Sequence, residues 1–340
     1  MAKHQLIVGY DTALEFWRET RATSSELQEL EGEGRTYGRL PQTTTSIARR
    51  IIELLGVEAP IDVVAPSSSA RVKSPLVSPH SFAAPMTPRH LFRIDEDVAI
   101  CRMPVVLVQL AHKTSLIDLA RIAYEMAGTY GFGATGELVK DLRPLVDLGE
   151  LKGYATSGRA LRVRGATRAC RALDLVVPNS NSPRETDVAI ALMMPRSTGG
   201  FSLPGFVMNQ HIKLSEHLEA IVGSDVLMPD FYWPNGKVIM EYESNQYHIS
   251  PTAIGRDERR RRAFESEGYR VVRLMNDVLA TNDSLNSFMT ELAKTLGLRR
   301  RPASEAMLAK RRELRQELFG PVSGEVADWE REHPYRGVVM

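Results

Sequence analysis

The sequence predicts an α/β protein of about two domains, and three observations carry that expectation. Short apolar runs of strand length alternate with segments whose apolar residues recur at helical spacing. The 340 residues are 43% hydrophobic and 25% charged, the balance of a soluble chain that buries a core. At roughly 100–200 residues per domain, that length fits two domains. The third observation is Asn235-Gly236, set between apolar runs as the turn of a β-hairpin. The same composition argues against other classes. No run of about 18 apolar residues marks a membrane span. Met1–Gly9 is too briefly apolar for a signal peptide. Two cysteines, Cys101 and Cys170, exclude a disulfide framework and a four-cysteine zinc site, so the expected setting is the cytoplasm. A net charge of +1 argues by itself against nucleic acid, but only the local distribution of charge reaches a ligand.

From the N-terminus, Leu6-Ile7-Val8 reads as a strand, and Ala13, Leu14, Phe16 and Trp17 as one side of a helix. Ile47, Ile51, Leu54 and Leu55 define a second helix stopped by Gly56. The Pro- and Ser-rich stretch from Pro60 to Pro88 reads as short strands and turns, with Val63-Val64 and Arg71–Val77 the candidate strands. Val98-Ala99-Ile100 is a strand, Pro104 opens a helix, and another helix runs from about Ser115 to Tyr130. These two helices form either a helix-turn-helix or, more simply, a packed αα-hairpin, since neither carries a basic stripe. Thr156–Leu173 reads as one helix with five arginines, Arg159, Arg162, Arg164, Arg168 and Arg171. With a strand near Phe206–Ile212, a helix over Asp257–Glu267 and a strand over Tyr269–Leu274, the region from Ser182 onward reads αβββαβ. Glu305–Phe319 is a final helix, whose Lys310, Arg311, Arg312 and Arg315 either extend a nucleic-acid surface or lie in solvent.

The hairpin is the informative region. If Asn235-Gly236 is its two-residue loop, Pro234 pairs with Lys237, and counting outward sets Asp230 opposite Glu241. Glu243 shares the face of Glu241 because side chains alternate. Opposed residues have Cβ atoms about 4.5–5.5 Å apart, where like charges destabilise the pair. Exposure, protonation or a cation resolves that conflict. The apolar run Val238-Ile239-Met240 argues for a buried hairpin, and a divalent ion held by oxygens from both strands answers the charge. The surrounding charge is divided in the same sense. Glu216–Ser250 holds six acids and one base, a balance of −5, whereas Arg256–Arg315 holds fifteen bases and nine acids, a balance of +6. Acids that hold a cation beside bases that hold a polyanion would produce this division, as would a solvated helix face over Arg256–Arg262. Trp233 and Tyr247 either stack on a base or belong to the core.

Asp230, Glu241-Tyr242-Glu243, His248, Asp257, Arg260 and the Gly268–Arg273 strand together resemble the DUF559 proteins of the PD-(D/E)XK restriction-endonuclease-like superfamily, near the very-short-patch repair nucleases. Ser180–Glu185, Leu192–Pro195 and Gly199-Gly200 look like the start of the same domain, so the resemblance covers about residues 180–296. Cys101–Tyr130 bears a slighter similarity to AbiEi-type antitoxins of abortive-infection systems. The main resemblance implies a restriction-endonuclease-like core, a mixed sheet flanked by helices. It implies one or two Mg²⁺ or Mn²⁺ ions held by an Asp and a Glu of adjacent strands, often with an acid of the first helix. Asp230 and Glu241 match the strand carboxylates, and Glu185 matches the helix acid. Glu185 is equally the N3 residue of a capping box opened by Ser182 and Pro183. The family pattern has Lys two residues after the Glu; here that residue is Glu243. His248 sits where very-short-patch repair nucleases carry a histidine proposed as general base. By that likeness His248 or Glu243 would take the proton of the attacking water, and by the plainer reading His248 is an ordinary loop histidine. Arg256, Arg259, Arg260 and Arg270 would hold the phosphate backbone.

The expected organisation is an α+β N-terminal region over 1–178, a nuclease-like α/β domain over 179–297 and a basic helical tail over 298–340. The leading functional expectation is a metal-dependent DNA endonuclease of phage defence or DNA repair. Two others stay open. One is a DNA-binding regulator on the same fold without catalysis, which the missing Lys favours. The other is a protein-interaction module of a defence or mobile-element system, with a toxin or other defence-system partner.

Overall fold

The structure, a computed structural model, describes residues 6–23, 44–65, 74–94, 98–133, 136–243, 259 and 261–320. It is a mixed α/β protein in two compact units, and the chain passes from one to the other at Asp174–Leu175.

The first unit is built on a five-stranded sheet of β1 (Leu6–Val8), β2 (Ile61–Ala65), β3 (Val77–Ser81), β4 (Leu91–Arg93) and β5 (Val98–Cys101), in the order β3-β2-β1-β5-β4. β1 and β5 run parallel, from Leu6↔Val98 to Val8↔Ile100, and all of β5 is buried. Burial on both faces is why these strands are continuously apolar rather than alternating. The strand expected over Arg71–Val77 begins only at Val77, and residues 71–73 lie outside the described residues. At the end of β1, a Cβ on Gly9 would stand 2.8 Å from Gln109 Oε1 and 2.9 Å from Val64, so glycine lets α1 (Tyr10–Thr23) start hard against the sheet. α2 (Thr44–Leu55) precedes β2. Every residue of α3 (Met103–Leu110) is buried, which leaves it no face for a DNA groove; with α4 (Leu116–Ala127) it forms the packed hairpin. Gly128 ends α4 two to three residues before the expected Tyr130. Buried Arg21 of α1 donates to the carbonyls of Glu125 and Gly128 at 2.8 and 2.7 Å, satisfying acceptors that the end of α4 leaves open. A small hairpin follows, β6 (Gly131–Phe132) with β7 (Leu138–Val139).

The arginine-rich helix expected over Thr156–Leu173 is two helices, α5 (Leu148–Ala160) and α6 (Ala166–Leu173). The break lies in the backbone. Arg162 at φ 58° and Gly165 at φ 92° adopt left-handed conformations through which a right-handed helix cannot continue.

In the second unit, α7 (Pro183–Met193) is buried from Arg184 to Leu192. A four-stranded sheet of β8 (Val207–Met208), β11 (Phe231–Trp233), β12 (Val238–Glu243) and β13 (Arg270–Met275) runs in the order β13-β12-β11-β8. The strand expected over Phe206–Ile212 is in fact two that join different sheets. β8 pairs with β11, while β9 (Ile212–Lys213) pairs with β10 (Val226–Leu227) around α8 (Glu216–Val222). β11 and β12 are antiparallel; β12 and β13 are parallel, joined through a helix, α9, described over 261–266. The start expected for that helix at Asp257 lies outside the described residues.

One face of this sheet buries Phe231, Trp233, Val238, Met240 and Leu274. Phe206 packs on Phe231 and Trp233 with ring centroids 5.4 and 5.2 Å apart, so Trp233 is core rather than a platform for a base. Tyr247 lies outside the described residues. The other face, with Tyr232, Ile239 and Val271, packs on Leu218 of α8, on Leu214 and Leu227, and on Ala263 and Phe264 of α9. α10 (Asn276–Ala280), α11 (Asn282–Thr295) and α12 (Glu305–Phe319) complete the unit, with α12 against α7, α10 and α11. Two of the arginines on α12 turn inward. Arg315 donates to the carbonyls of Leu279 and Gly320, and Arg311 donates to Asn286 Oδ1 and lies 4.6 Å from the Phe201 ring centroid. Both are buried and add nothing to a nucleic-acid surface.

Candidate active site

The β11–β12 hairpin sets the site. Its pairs Trp233↔Val238, Tyr232↔Ile239 and Phe231↔Met240 continue outward to Asp230 opposite Glu241. The turn that fixes this register differs from the expected two-residue loop. Pro234–Gly236 form a 3₁₀ turn, and the left-handed residue is Lys237 at φ 47°, not Asn235 or Gly236. Lys237 N–H donates to the Pro234 carbonyl at 3.2 Å. Proline presets the φ of the first turn residue, which keeps the same register with a different turn.

Two side-chain-to-backbone bonds then tie the strands together. Tyr242 N–H donates to Asp230 Oδ2 at 2.7 Å, and Asp230 N–H donates to Glu241 Oε2 at 3.4 Å. An amide donor to each carboxylate offsets part of their repulsion. Both side chains are half-buried, at the point where β12 passes from the buried run Val238–Met240 to the partly open Glu241–Glu243.

Glu243 lies on the same face and pairs with Arg273 Nε at 3.4 Å. Arg273 also stands directly beside Glu241 in the parallel register. Sequence reasoning missed Arg273. Which residue of β13 faces Glu241 depends on where the chain re-enters the sheet after α9, and that is fixed by Arg270 N–H donating to the Lys237 carbonyl at 2.9 Å.

Glu185 is buried at N3 of α7, whose N-cap is Ser182, and its carboxylate bonds the amide before the N-cap rather than closing the expected capping box. Ser182 Oγ accepts from Glu185 N–H at 3.2 Å, and Glu185 Oε2 accepts from Asn181 N–H at 2.9 Å. A third partner is Asn209, whose Nδ2 donates to the same Oε2 at 2.7 Å while its own N–H donates to the Pro229 carbonyl at 3.0 Å. Asn209 therefore links the helix acid to the residue preceding Asp230. It follows β8 at φ 45°, a conformation that asparagine tolerates better than most residues, and no motif in the sequence announces it.

Of the expected phosphate-holding arginines, Arg259 is exposed beside α9. Arg270 is exposed at the turn end of the sheet, where it pairs with Val238 and donates to the Gly236 carbonyl at 3.3 Å. Three residues from Arg273, it lies about 10 Å along the strand and on the opposite face, so the fold brings Arg273 rather than Arg270 to the carboxylates. His248, Arg256 and Arg260 lie outside the described residues.

Among the described residues, no three of His, Cys, Asp and Glu converge as a ligand cluster. Asp230 and Glu241 still present hard oxygen donors of the kind that hold Mg²⁺, an ion commonly bound by one or two carboxylates with waters and substrate phosphates completing its shell.

No family model, curated protein or solved structure matches this chain.

Proposed function

We propose that the chain is a metal-dependent endonuclease acting on DNA, with a restriction-endonuclease-like core formed by α7, β8, β11, β12, α9 and β13. The observation that carries this reading is the pair Asp230–Glu241, opposed across a hairpin and each bonded to a backbone amide. The element order supports it: a buried helix, three antiparallel strands, a crossing helix and a parallel strand.

In this reading Asp230 and Glu241 hold Mg²⁺ or Mn²⁺. When bound, such an ion supplies Lewis acidity toward water and phosphate oxygens. Glu243 or His248 accepts a proton from the water that attacks phosphorus, and the P–O bond to the leaving oxygen breaks as that oxygen gains a proton from solvent. Arg273 holds Glu243 in place through their ion pair. Arg259, with Arg256 and Arg260, engages backbone phosphates, and Arg270 engages them farther from the scissile bond.

Incubating supercoiled plasmid with the purified protein and Mg²⁺ or Mn²⁺ tests the proposal. Nicking or linearisation is expected, falling by about a hundredfold or more in Asp230→Ala and Glu241→Ala. Cleavage unchanged in both variants would overturn it. The Glu243–Arg273 pair, standing where the resembling family places Lys, supports a second reading: a DNA-binding regulator of a defence or repair system that does not cut. Retarded but intact DNA, with binding indifferent to divalent ions, would select that reading.

A further inference from the structure

The arginine-rich segment of the first unit spans α5, α6 and the turn between them. The turn between α5 and α6 is pressed onto the end of α3. A Cβ on Gly165 would stand 2.5 Å from the Val108 carbonyl, so the left-handed glycine is what allows this approach. The turn sets Arg164, Thr167, Arg168 and Arg171 around His112 in an open cleft of about 310 Å³.

No carboxylate lines this cleft, and among the described residues none of Arg164, Arg168 and Arg171 forms an ion pair. Guanidinium groups only donate. Two of the lining groups are held in place by backbone. Arg168 Nη1 donates to the Thr114 carbonyl at 2.9 Å, which occupies one of its five N–H groups. His112 Nδ1 donates to the Gln109 carbonyl at 2.7 Å, so Nε2 is the ring nitrogen left for a ligand. The His112 ring also packs at its edge against Tyr10, with centroids 6.1 Å apart. Tyr10 is itself pinned at φ 53° by its N–H donating to Gln109 Oε1 at 2.9 Å. Gln109 thus fixes both aromatic rings.

Three like charges in one cleft repel each other unless an anion joins them. A carboxylate has two oxygens and one charge, fewer than three guanidiniums can engage. A phosphate monoester offers three terminal oxygens and close to two charges, and its geometry suits bidentate guanidinium donation. We infer that the cleft of His112, Arg164, Arg168 and Arg171 binds a phosphate monoester. The inference is independent of the carboxylate site in the second unit. The group is carried either by a small molecule or by the 5′ end of a nucleic acid strand, and the assay distinguishes the two.

The test titrates the full-length protein, without divalent metal, with inorganic phosphate, with adenosine monophosphate, and with one oligonucleotide bearing either a 5′-phosphate or a 5′-hydroxyl. Calorimetry serves for the first two and fluorescence anisotropy for the oligonucleotides. The variants are Arg164→Ala, Arg171→Ala and Arg159→Ala. All three arginines are exposed, so folding is expected to persist, and circular dichroism checks it. Arg159 lies outside the cleft and controls for charge alone. Affinity for the phosphorylated probe should fall about tenfold or more in Arg164→Ala and Arg171→Ala and stay unchanged in Arg159→Ala. Adenosine monophosphate binding as tightly as the phosphorylated oligonucleotide supports a small-molecule source. Preference for the 5′-phosphate oligonucleotide over both its 5′-hydroxyl form and adenosine monophosphate supports a strand end. Equal binding of the two oligonucleotides with no response to phosphate or adenosine monophosphate would overturn the inference. So would equal loss in all three variants, or no loss in any.

Discussion

At Arg273, one side chain faces two carboxylates: it stands beside Glu241 in register and pairs with Glu243. A cation there opposes the arrival of a second cation. Arg273→Ala is therefore expected to tighten Mn²⁺ binding by about fivefold, the equivalent of about 1 kcal/mol at a half-exposed position. Glu243→Gln should weaken it, and titration calorimetry reads both. An unchanged affinity in Arg273→Ala would mean that the ion does not sit at these carboxylates. In the other unit, Cys101 is fully buried, and burial is the main force raising its thiol to about 12, while the Gln109 side chain opposes the shift. The thiolate is the nucleophile. Iodoacetamide at pH 8 should leave Cys101 unmodified in the native protein and label it fully in guanidinium, as peptide mass mapping would show.

Among the elements, the second unit depends on how tightly its helices approach one another. Gly199, at φ 96°, would place a Cβ 2.5 Å from the Lys310 carbonyl of α12, so it combines a left-handed backbone with a close approach. Gly205, at φ 92°, has open space around it. The pair separates two effects of one substitution. Gly205→Ala should cost about 1 kcal/mol, the left-handed penalty alone. Gly199→Ala should cost distinctly more, about 2–4 kcal/mol, because α12 must move or the turn must open. Urea midpoints at constant slope measure both, and equal losses would show that α12 does not press on this turn in solution. The same reasoning accounts for Gly165, where a Cβ would meet α3.

For the whole molecule, the near-zero net charge hides segregation along the sequence. The acidic stretch around the hairpin and the basic one after it nearly cancel, and five further arginines are concentrated over residues 159–171 of the first unit. Among the described residues, no helix is long and apolar enough to cross a membrane. Stability should respond to alkali through the first unit. Burial, then the charges of Cys101 and Asp62, raises the Tyr10 hydroxyl from 10.0 to about 12; burial raises Cys101 from 9.0 to about 12. The folded chain holds both protons more tightly than the unfolded chain. Their contribution is therefore complete below about pH 9 and is lost as pH climbs to about 12. Denaturant titrations from pH 8 to 12 should show falling stability from about pH 9, reduced in a Cys101→Ser variant. A flat profile to pH 12 would contradict the burial of these groups.

What the sequence determined by itself was local or periodic. The opposition of Asp230 and Glu241 follows from counting outward from one turn, and the count holds because a 3₁₀ turn at Pro234 closes the same register. The N-cap role of Ser182, with Glu185 at N3, follows from the spacing Ser182-Pro183-Arg184-Glu185. The strand at Leu6–Val8 and the helix at Glu305–Phe319 follow from apolar period. Tertiary structure decided everything that hangs on two segments distant in sequence. Arg273 reaches the carboxylates because a parallel strand re-enters at Lys237, and parallel register has no local turn to set it. Asn209 joins Glu185 to the Asp230 strand through bonds to three separate segments, none of which encodes the others. The arginines of 159–171 read as one helix until Gly165 meets the Val108 carbonyl and folds three of them around His112. The physical reason is common to all three: spacing fixes which side chains share a face, while long-range packing fixes which face they meet.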